Sequence, residues 1–522
     1  MPLISRFPEV VIPQVSLTDY IFKSLYQHYN RIAIVDAPTA REITFGEIAN
    51  TTVKCASALA RRGLKKGDIV ATCASNSPEY VIVLLAAAAC GATITTCNPM
   101  YTEHEIKHQF QHSEPKMAFV IPGAYESVKN VAAVVPSLEK IYTIGKIAGV
   151  ESFDDLISND NGSAFPRNVQ IDPCEDILFL PYSSGTTGLP KGVMLTHHNF
   201  ISCITMCKIN PGFNSDSIYS VLPLFHIYGL LVAFVALDQG LKHVLDVRFN
   251  LENWFQCIEK YKVTRFSSVP PMLLAIAKSP LLEKYDLSSL LTISSGAAPL
   301  PREVASILAS KLNCPVSQGW GLTECVPITM ANLQITPYNS VGSVCANTKI
   351  KVIDIETGAE LGAYKNGELC VKGPQIMKGY FKNPTATTRT IDSDGWLHTG
   401  DIGYYDDNEM IFIIDRLKEL IKYKGFQVAP AELEEVLVAH PKIADAAVVG
   451  IPDFQAGELA KAYVVPKDPS LTKDEIHKYI AGQLSKYKHL YGGIEFRDYI
   501  AKSATGKILR RVLREEAKKS KL

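Results

Sequence analysis

The chain has no excess of either charge. Among its 522 residues, Lys and Arg together number 53, Asp and Glu together number 53, and the formal net charge is zero. A protein whose main partner is nucleic acid or an anionic membrane surface normally has a basic excess. We therefore expect neither nucleic acid nor an anionic membrane to be its main partner.

Paired cysteines are also missing. Twelve cysteines are scattered along the chain, with no Cys-x-x-Cys pair and no His/Cys group at metal-binding spacing. This distribution argues against a disulfide framework. It predicts free thiols in a reducing compartment.

Long hydrophobic runs are absent as well. The longest, Tyr80 to Cys90, is too short to span a bilayer and is expected to form a buried helix. The N-terminus lacks a basic region followed by an apolar run, so no secretory signal is predicted.

A chain of this length can bury substantial cores and should divide into at least two domains.

One segment is rich in both glycine and hydroxyl groups. Residues 182–192 read Tyr-Ser-Ser-Gly-Thr-Thr-Gly-Leu-Pro-Lys-Gly. The glycines allow backbone N–H groups to approach phosphate oxygens, and Lys191 adds a positive charge. A Walker A loop needs Ser or Thr after the lysine and then a helix, whereas Gly192 and a strand-like run follow here. The segment predicts a polyphosphate-binding loop between two strands, with a polar hairpin turn as the alternative.

The first half of the chain alternates helix-like and strand-like runs, which indicates βαβ units and a parallel sheet. Residues 150–172 are expected to be a polar connection. The predicted helices are 45–62, 78–90 and 102–110, the last capped by Thr102, and the predicted strands are 69–73, 92–96, 117–121 and 177–180.

The second half changes character. Short alternating strands over residues 341–414 predict a compact β subdomain, and the following helix (430–440) and strands (446–449, 462–465) predict a small α+β domain. The predicted fold is α/β, with a large N-terminal domain of βα sheets and a β-barrel-like subdomain. The predicted domains are 1–415, which includes the subdomain at about 338–414, and 416–522.

Several segments resemble the signatures of the adenylate-forming superfamily, which includes acyl-CoA and aryl-CoA synthetases, 4-coumarate–CoA ligases, beetle luciferases and adenylation domains. Such segments extend over nearly the whole chain. The resemblance implies that the C-terminal domain is mobile and hinges near Lys418. The matching segments are residues 182–192, 222–228, 294–299, 318–324, 396–401 and 502–510.

The resemblance implies an ATP site. Asp401 is expected to take the ribose hydroxyls, and Trp320 to stack on adenine where relatives usually have tyrosine. Lys507 corresponds to the adenylation lysine, and Glu324 offers a hard oxygen to Mg²⁺. The implied ATP- and AMP-binding residues are Ser183, Ser184, Gly185, Thr186, Thr187, Gly188, Lys191, Gly296, Ala297, Ala298, Gln318, Gly319, Trp320, Gly321, Thr323, Asp401, Arg416 and Lys507.

The resemblance also implies sites for the acid and for coenzyme A. His226 and Lys422 are assigned catalytic roles beside Lys507, with Lys422 acting in the thioester half of the reaction. Lys422, Lys424 and Gly425 are assigned to CoA binding. The implied acyl pocket consists of His226, Tyr228, Val232, Ser294, Gly319, Gly321 and Ile328.

Several of these residues have simpler interpretations when the resemblance is set aside. His226 would be a hydrogen-bonded core histidine, Asp401 would cap a turn, and the lysines of the C-terminal domain would form a solvated basic patch. Residues 294–299 would be a strand-to-helix turn, with Pro301 as the first helical residue.

The implied reaction is ATP-dependent ligation of a carboxylic acid to CoA. The carboxylate attacks the α-phosphorus and releases pyrophosphate, and CoA then takes the acyl group and releases AMP. Lys507 would stabilise the first step from a loop that lacks both prolines of the family pattern and is therefore expected to be less rigid. The acid is expected to be aromatic (4-coumarate-like) or fatty, and the required ligands are ATP, Mg²⁺ and CoA.

Two other functions stay open: a luciferase-like monooxygenase and a non-catalytic AMP-binding scaffold. A P-loop kinase or ATPase is disfavoured by Gly192. The terminal Ser520-Lys521-Leu522 predicts recognition by a peroxisomal import receptor, and otherwise a cytoplasmic location is expected. The alternative is that a basic helix merely ends in this tripeptide.

Overall fold

The computed structural model describes residues 1–183, 190–209, 216–333, 336–424, 426–453, 455–503 and 506–519. The strands are β1 (Leu3–Ile4), β2 (Ile32–Asp36), β3 (Arg41–Thr44), β4 (Ile69–Cys73), β5 (Thr93–Cys97), β6 (Met117–Val120), β7 (Lys140–Thr143), β8 (Ile177–Phe179), β9 (Tyr182–Ser183), β10 (Lys191–Thr196), β11 (Ser217–Ser220), β12 (Lys242–Leu245), β13 (Arg265–Ser268), β14 (Thr292–Ser295), β15 (Val316–Gln318), β16 (Thr329–Met330), β17 (Ser343–Val344), β18 (Lys349–Ile353), β19 (Gly367–Lys372), β20 (Gly379–Tyr380), β21 (Leu397–Tyr405), β22 (Ile411–Arg416), β23 (Ile421–Tyr423), β24 (Phe426–Val428), β25 (Ile443–Asp453), β26 (Gly457–Pro466) and β27 (Ile494–Phe496). The α-helices are α1 (Leu17–Gln27), α2 (Phe45–Arg61), α3 (Pro78–Ala89), α4 (Glu103–Ser113), α5 (Tyr125–Ala132), α6 (Phe153–Ser158), α7 (His197–Lys208), α8 (Ile227–Asp238), α9 (Leu251–Tyr261), α10 (Pro270–Ala277), α11 (Arg302–Leu312), α12 (Pro384–Thr390), α13 (Pro430–Ala439), α14 (Lys473–Gln483) and α15 (Arg510–Lys519).

Two large sheets form the N-terminal part. The first sheet has the order β20-β10-β8-β5-β4-β6-β7 with β9 beside β10, and its strands from β8 to β7 are parallel. The second sheet has the order β15-β14-β13-β11-β12-β2-β3 and is parallel except for β3. The predicted βαβ alternation and parallel pairing are confirmed.

The largest apolar core joins these two sheets through helices. Residues 80–89 of α3 are all buried, and they pack in one cluster with Ile34 of the second sheet and Phe179 of the first. Burial on every side explains why this helix has no polar face. The predicted buried helix is confirmed, and in the described part of the chain no helix has the length and apolar character needed to cross a membrane.

The third sheet is the predicted β subdomain, but its membership differs from the expectation. Its order is β1-β18-β19-β21-β22, so the N-terminal strand β1 joins it through Leu3 beside Ile350. Strand β20 leaves the subdomain and pairs with β10 of the first sheet, with Tyr380 opposite Val193. Both pairings join segments far apart in the chain, which local sequence patterns do not indicate.

The fourth sheet forms the C-terminal part. Its order is β24-β23-β26-β25 with β27 beside β26, and α13 packs against β25. The strands predicted at 446–449 and 462–465 are longer, because β25 and β26 pair along their lengths as an antiparallel ribbon. Strand β22 of the third sheet ends at Arg416 and β23 begins at Ile421; the domain boundary at residue 415 stays a prediction.

Two local expectations were wrong. The polar connection predicted at 150–172 contains helix α6, because Ser152 and Asp155 form a reciprocal capping box and Phe153 and Leu156 are buried. Pro301 precedes α11 as its N-cap and is not the first residue within the helix. By contrast, the expected cap at Thr102 is confirmed, with Glu105 completing the capping box of α4.

Candidate active site

Three loops of the second sheet bring predicted site residues to one edge. His226 follows β11, Gly296 follows β14 and Gly319 follows β15. These strands belong to one parallel run, so their carboxyl ends lie at the same edge of the sheet. Such an edge is where open α/β sheets bind ligands.

The side of the site assigned to the acid contains a cluster of hydroxyl groups around Tyr228. Burial raises the pKa of Tyr228, and hydrogen bonds to Ser294 and Ser267 act in the opposite direction. The Oγ atoms of Ser267 and Ser294 are 3.2 Å apart. Gly296 leaves room for the ring of Tyr228, because a Cβ atom at Gly296 would lie 3.1 Å from that ring.

Apolar residues complete this side of the site. Val232 is buried in a cluster that also includes Tyr228, whereas Ile328 is buried in a different cluster together with Trp320. Tyr228 and Val232, both predicted to line the acyl pocket, therefore lie together. Ile328, also predicted there, packs with Trp320 instead. The sequence analysis did not assign Ser267 to the acyl pocket. A serine within a short buried strand was the signal that could have indicated it.

His226 caps α8 through its side chain. Its Nδ1 accepts a hydrogen bond from the N–H of Tyr228 at 3.3 Å. Burial and the nearby charge of Lys507 lower the pKa of His226 to about 4. The imidazole is therefore neutral near pH 7, and since Nδ1 accepts, Nε2 carries the proton and can act as a donor.

On the nucleotide side, Asp401 is held by two other predicted residues. Its Oδ2 accepts a hydrogen bond from the indole Nε1 of Trp320 at 2.8 Å, and its Oδ1 lies 2.6 Å from Nε of Arg416. Burial raises the pKa of Asp401, and Arg416 and Trp320 oppose that rise. Each carboxylate oxygen can accept a further hydrogen bond, so the diol of a ribose can still be bound.

The phosphate side of the site includes a residue that the sequence analysis missed. Lys191 Nζ lies 4.2 Å from the centre of the Tyr380 ring, and the hydroxyl of Tyr380 donates to Oε1 of Glu324 at 2.8 Å. Tyr380 thus connects the lysine after the glycine-rich loop with the predicted magnesium ligand. Residues 184–189 of that loop lie outside the described residues, so the predictions for Ser184, Gly185, Thr186, Thr187 and Gly188 are not addressed.

Lys507 reaches this site from the C-terminal part. Burial and the charge of Arg416 lower the pKa of Lys507, while Asp401 and Glu324 act in the opposite direction, so the ammonium group is within electrostatic range of these three side chains. The loop packs closely on the start of α10, which follows β13 of the second sheet, since a Cβ atom at Gly506 would lie 2.9 Å from Pro271.

Positive charge accumulates around Lys507. Burial, Arg416 and Lys507 together lower the pKa of the predicted hinge residue Lys418 to about 8. Three cationic side chains near the carboxylates of Asp401 and Glu324 suit a ligand with several phosphate groups. The negative charge that develops on pyrophosphate as it leaves would be stabilised there.

Other predicted residues are not part of this cluster. Lys422 and Lys424 are exposed, and Gly425 lies outside the described residues. The side-chain amide of Gln318 is engaged by the backbone, since Oε1 accepts from the N–H of Leu300 at 2.7 Å and Nε2 donates to the carbonyl of Tyr338 at 2.6 Å. The assignment of Gln318 to nucleotide binding stays a prediction, as do those of Ser183, Ala297, Ala298, Gly321 and Thr323.

The fold and the site define an ATP-dependent enzyme that activates an acid as its adenylate. The sequence profile of the family described as AMP-binding enzyme matches residues 21–381, and that of the AMP-binding enzyme C-terminal domain matches residues 432–507. The chain belongs to the AMP-binding enzyme family. Within it, the chain is an AMP-forming acid–CoA ligase, as the resemblance implied.

Similar proteins extend over nearly the whole chain. The 4-coumarate–CoA ligase 5 of Oryza sativa subsp. japonica is 42% identical over 525 residues, covering 98% of this chain and 96% of the relative. The 4-coumarate–CoA ligase CCL1 of Humulus lupulus is 40% identical over 527 residues, covering 98% and 95%.

Solved structures of related enzymes have the same architecture. ATP-bound MatB from Rhodopseudomonas palustris superimposes with a TM-score of 0.89 at 28% identity, covering 97% of this chain and 99% of MatB. The o-succinylbenzoate CoA synthetase of Bacillus subtilis, in complex with its acyl-adenylate intermediate, gives a TM-score of 0.82 at 28% identity, covering 96% and 98%. The predicted fold class is confirmed.

Proposed function

We propose that this acid–CoA ligase acts on a flat aromatic acid with a polar group at the end far from the carboxylate. The hydroxyl cluster of Tyr228, Ser267 and Ser294 supports this, because it can hydrogen-bond to a ring substituent. These hydroxyl groups already bond to one another, but a long alkyl chain would remove them from water without using their remaining hydrogen-bonding capacity, which costs free energy. The similarity to proteins named 4-coumarate–CoA ligases points in the same direction.

The adenylation half would take place with Lys507 in its present position. The carboxylate oxygen of the acid attacks the α-phosphorus of ATP, forming a C–O–P linkage and breaking the bond to pyrophosphate. Lys507 and Lys191 stabilise the developing negative charge, and Asp401 fixes the ribose. The neutral imidazole of His226 offers its Nε2–H at the acyl side of the site without adding a second charge there.

This mechanism depends on the position of Lys507 within electrostatic range of Arg416, Asp401 and Glu324, beside the Arg416–Asp401 ion pair, whose Nε and Oδ1 atoms are 2.6 Å apart. No side-chain nucleophile is needed, because the acid itself attacks the phosphorus. Positioning and fixed positive charge therefore account for most of the rate acceleration.

Magnesium is expected to bind with the triphosphate. The half-buried carboxylate of Glu324 suits this ion, since Mg²⁺ prefers oxygen ligands and is usually held by one or two carboxylates together with phosphates. The hydroxyl of Tyr380 orients that carboxylate through Oε1, and the other oxygen is available to the ion. When bound, the metal ion would neutralise part of the negative charge on the phosphates of ATP.

The thioester half requires a second arrangement of the C-terminal part. We propose that it rotates about Lys418, withdraws Lys507 and turns the surface of Lys422 and Lys424 towards the site. The thiol sulfur of CoA then attacks the acyl carbonyl, the thiol proton is lost, and AMP leaves. Lys422 and Lys424 are exposed in the present arrangement, as residues that act only after a rotation would be.

The last three residues carry a proposal about cellular location. We propose that Ser520-Lys521-Leu522 is recognised by a peroxisomal import receptor. A fluorescent fusion that keeps this C-terminus free should enter peroxisomes, and deletion of the tripeptide should leave it in the cytoplasm. Equal distribution of both fusions would contradict the proposal.

The substrate class is tested by measuring products from a panel of acids. The enzyme is incubated with ATP, Mg²⁺ and hydroxycinnamic, benzoic, medium-chain or long-chain fatty acids, with and without CoA. We expect AMP and a thioester from hydroxylated aromatic acids. A Ser294→Ala, Ser267→Ala double variant should lose preference for the hydroxylated over the unsubstituted ring, whereas efficient turnover of fatty acids alone would overturn the aromatic assignment.

A further inference from the structure

Three side chains with metal-binding atoms meet on one face of the third sheet. Glu368 and Cys370 alternate along β19, so they point to the same face, and His398 on β21 lies directly opposite Cys370. The ligand atoms of all three residues lie within 4.8 Å of one another. We call Glu368, Cys370 and His398 the β19–β21 cluster.

The distances within the β19–β21 cluster match those around a tetrahedral metal ion. Cys370 Sγ is 3.6 Å from His398 Nδ1, and that nitrogen is 3.0 Å from Glu368 Oε2. Two ligands of a tetrahedral zinc ion, one sulfur and one nitrogen, are separated by about 3.5 Å. Small side-chain adjustments would therefore suffice to bind the ion, with a water molecule as the fourth ligand.

The outer partners of the β19–β21 cluster are those typical of metal sites. Asp392 Oδ2 lies 3.5 Å from Nε2 of His398, so a carboxylate can fix the ring while Nδ1 faces the cluster. Asp392 is itself held through Oδ1 by the N–H groups of residues 394 and 396. Glu368 is anchored through Oε1 by the N–H of Gly400 at 3.0 Å, which leaves Oε2 to face the metal position.

Charge balance also favours a divalent cation. The carboxylates of Glu368 and Asp392 and a thiolate at Cys370 would supply three negative charges, and Lys351, opposite Cys370 on β18, supplies one positive charge. A dication would bring the total to zero.

We propose that Glu368, Cys370 and His398 form a zinc-binding site that is separate from the active site. The ligand set of one thiolate, one imidazole and one carboxylate suits Zn²⁺ and not the magnesium expected at Glu324. His398 and Asp401 lie on opposite faces of β21, because His398 is on its half-exposed face and Asp401 on its buried face. Zinc therefore joins β19 to β21 and stabilises the third sheet without entering the chemistry.

Cobalt titration tests this proposal directly, because Co²⁺ bound to a thiolate produces a charge-transfer absorption band. Full-length enzyme is treated with a chelator, dialysed and titrated with Co²⁺. We expect the band to saturate at one equivalent and to disappear when Zn²⁺ is added. Cys370→Ser should abolish it, whereas Cys174→Ser should keep it, since Cys174 is the exposed cysteine among the twelve.

Two further variants keep the result interpretable. Asp392→Asn should weaken Zn²⁺ binding by about tenfold or more, as loss of an outer partner does at other metal sites. Glu368→Gln should lower the affinity while leaving the thiolate band position unchanged, and adenylation rates identify variants that are correctly folded. Absence of the band in the unmodified enzyme, or its persistence in Cys370→Ser, would overturn the proposal.

Discussion

The N-terminal and C-terminal parts supply the active site in different ways. In the N-terminal part, His226, Gly296, Gly319 and Asp401 follow or belong to strands that are fixed in large sheets and packed on extensive cores. In the C-terminal part, Lys507 reaches the site from a loop between β27 and α15. The N-terminal part thus holds the substrates in place, and the C-terminal part supplies a positive charge from this loop.

The two parts meet near the hinge through both polar and apolar contacts. Arg514 of α15 lies 2.6 Å from Glu419 in the connecting turn, and Asp415 accepts the N–H of Ala431 at 2.9 Å. The buried apolar residues that join the parts near the hinge are Ile402, Leu420 and Ala429.

If the C-terminal part is stabilised by its own interactions, breaking its buried ion pair should unfold it while the N-terminal sheets persist. Arg510 Nη2 lies 2.6 Å from Glu434 Oε2, and the two side chains are only 13% and 12% exposed. Arg510→Ala should cost about 3–5 kcal/mol because it leaves a buried carboxylate without its partner. Calorimetry should resolve an earlier transition, whereas the matched variant of the exposed Arg511 should change stability little.

Equal losses of stability in the Arg510→Ala and Arg511→Ala variants would contradict this account. A single cooperative transition in Arg510→Ala would show that the two parts unfold together.

Low pH, by contrast, should destabilise the N-terminal part. Burial lowers the pKa values of His197 and His243, both to about 4, below the ordinary 6.5. Between these values the unfolded chain binds protons that the native protein does not. Stability is therefore present above pH 6.5 and lost as pH falls towards 4, by about 3 kcal/mol for each histidine.

Urea unfolding at pH 7, 6 and 5, followed by signals from each part, measures this loss. His243→Leu should flatten the pH dependence of the N-terminal transition. An unchanged dependence in that variant would exclude His243 as a cause.

The fixed part of the site can be tested at Trp320. Trp320→Phe keeps an aromatic ring for adenine but removes the indole N–H that donates to Asp401. A hydrogen bond to a charged group contributes about 1.5–3 kcal/mol, so we expect KM for ATP to rise by about tenfold or more. Trp396→Phe serves as a control, and no change of KM in Trp320→Phe would mean that Arg416 alone fixes Asp401.

The interface between the parts should give the smallest effect. Arg514→Ala removes the ion pair with Glu419 near the hinge. Partly exposed pairs contribute about 0.2–1 kcal/mol, so adenylation should slow by at most about fivefold and thioester formation from preformed adenylate should not slow. Rapid-quench measurement of each half-reaction checks this, and slowing of the thioester step instead would contradict the proposed rotation.

Local sequence features predicted much of the fold, and the family resemblance supplied the residues of the site. Strand β4 was predicted at its observed bounds, Ile69–Cys73, as one of the strand-like runs that alternate with helix-like runs. The place of Lys507 among Asp401 and Glu324 followed from the family resemblance.

Contacts between distant segments could not be predicted in the same way. Tyr380 lies beside Lys191 only because β20 leaves the subdomain for the first sheet, and the hydrogen bond from Trp320 to Asp401 depends on how the loop after β15 meets strand β21. The β19–β21 cluster was missed for the same reason, since strand pairing unites Cys370 with His398 across 28 positions. Sequence spacing reveals metal ligands only when they are close along the chain.

The half-reactions of Lys507→Ala test the central claim most directly, with Lys502→Ala as the control because Lys502 is paired with Asp445 within the C-terminal part. Pyrophosphate release measures adenylation, and the reaction of synthetic acyl-adenylate with CoA measures thioester formation. We predict that Lys507→Ala loses about a hundredfold or more in adenylation and little in thioester formation. Equal loss in both half-reactions, or in neither, would contradict the account.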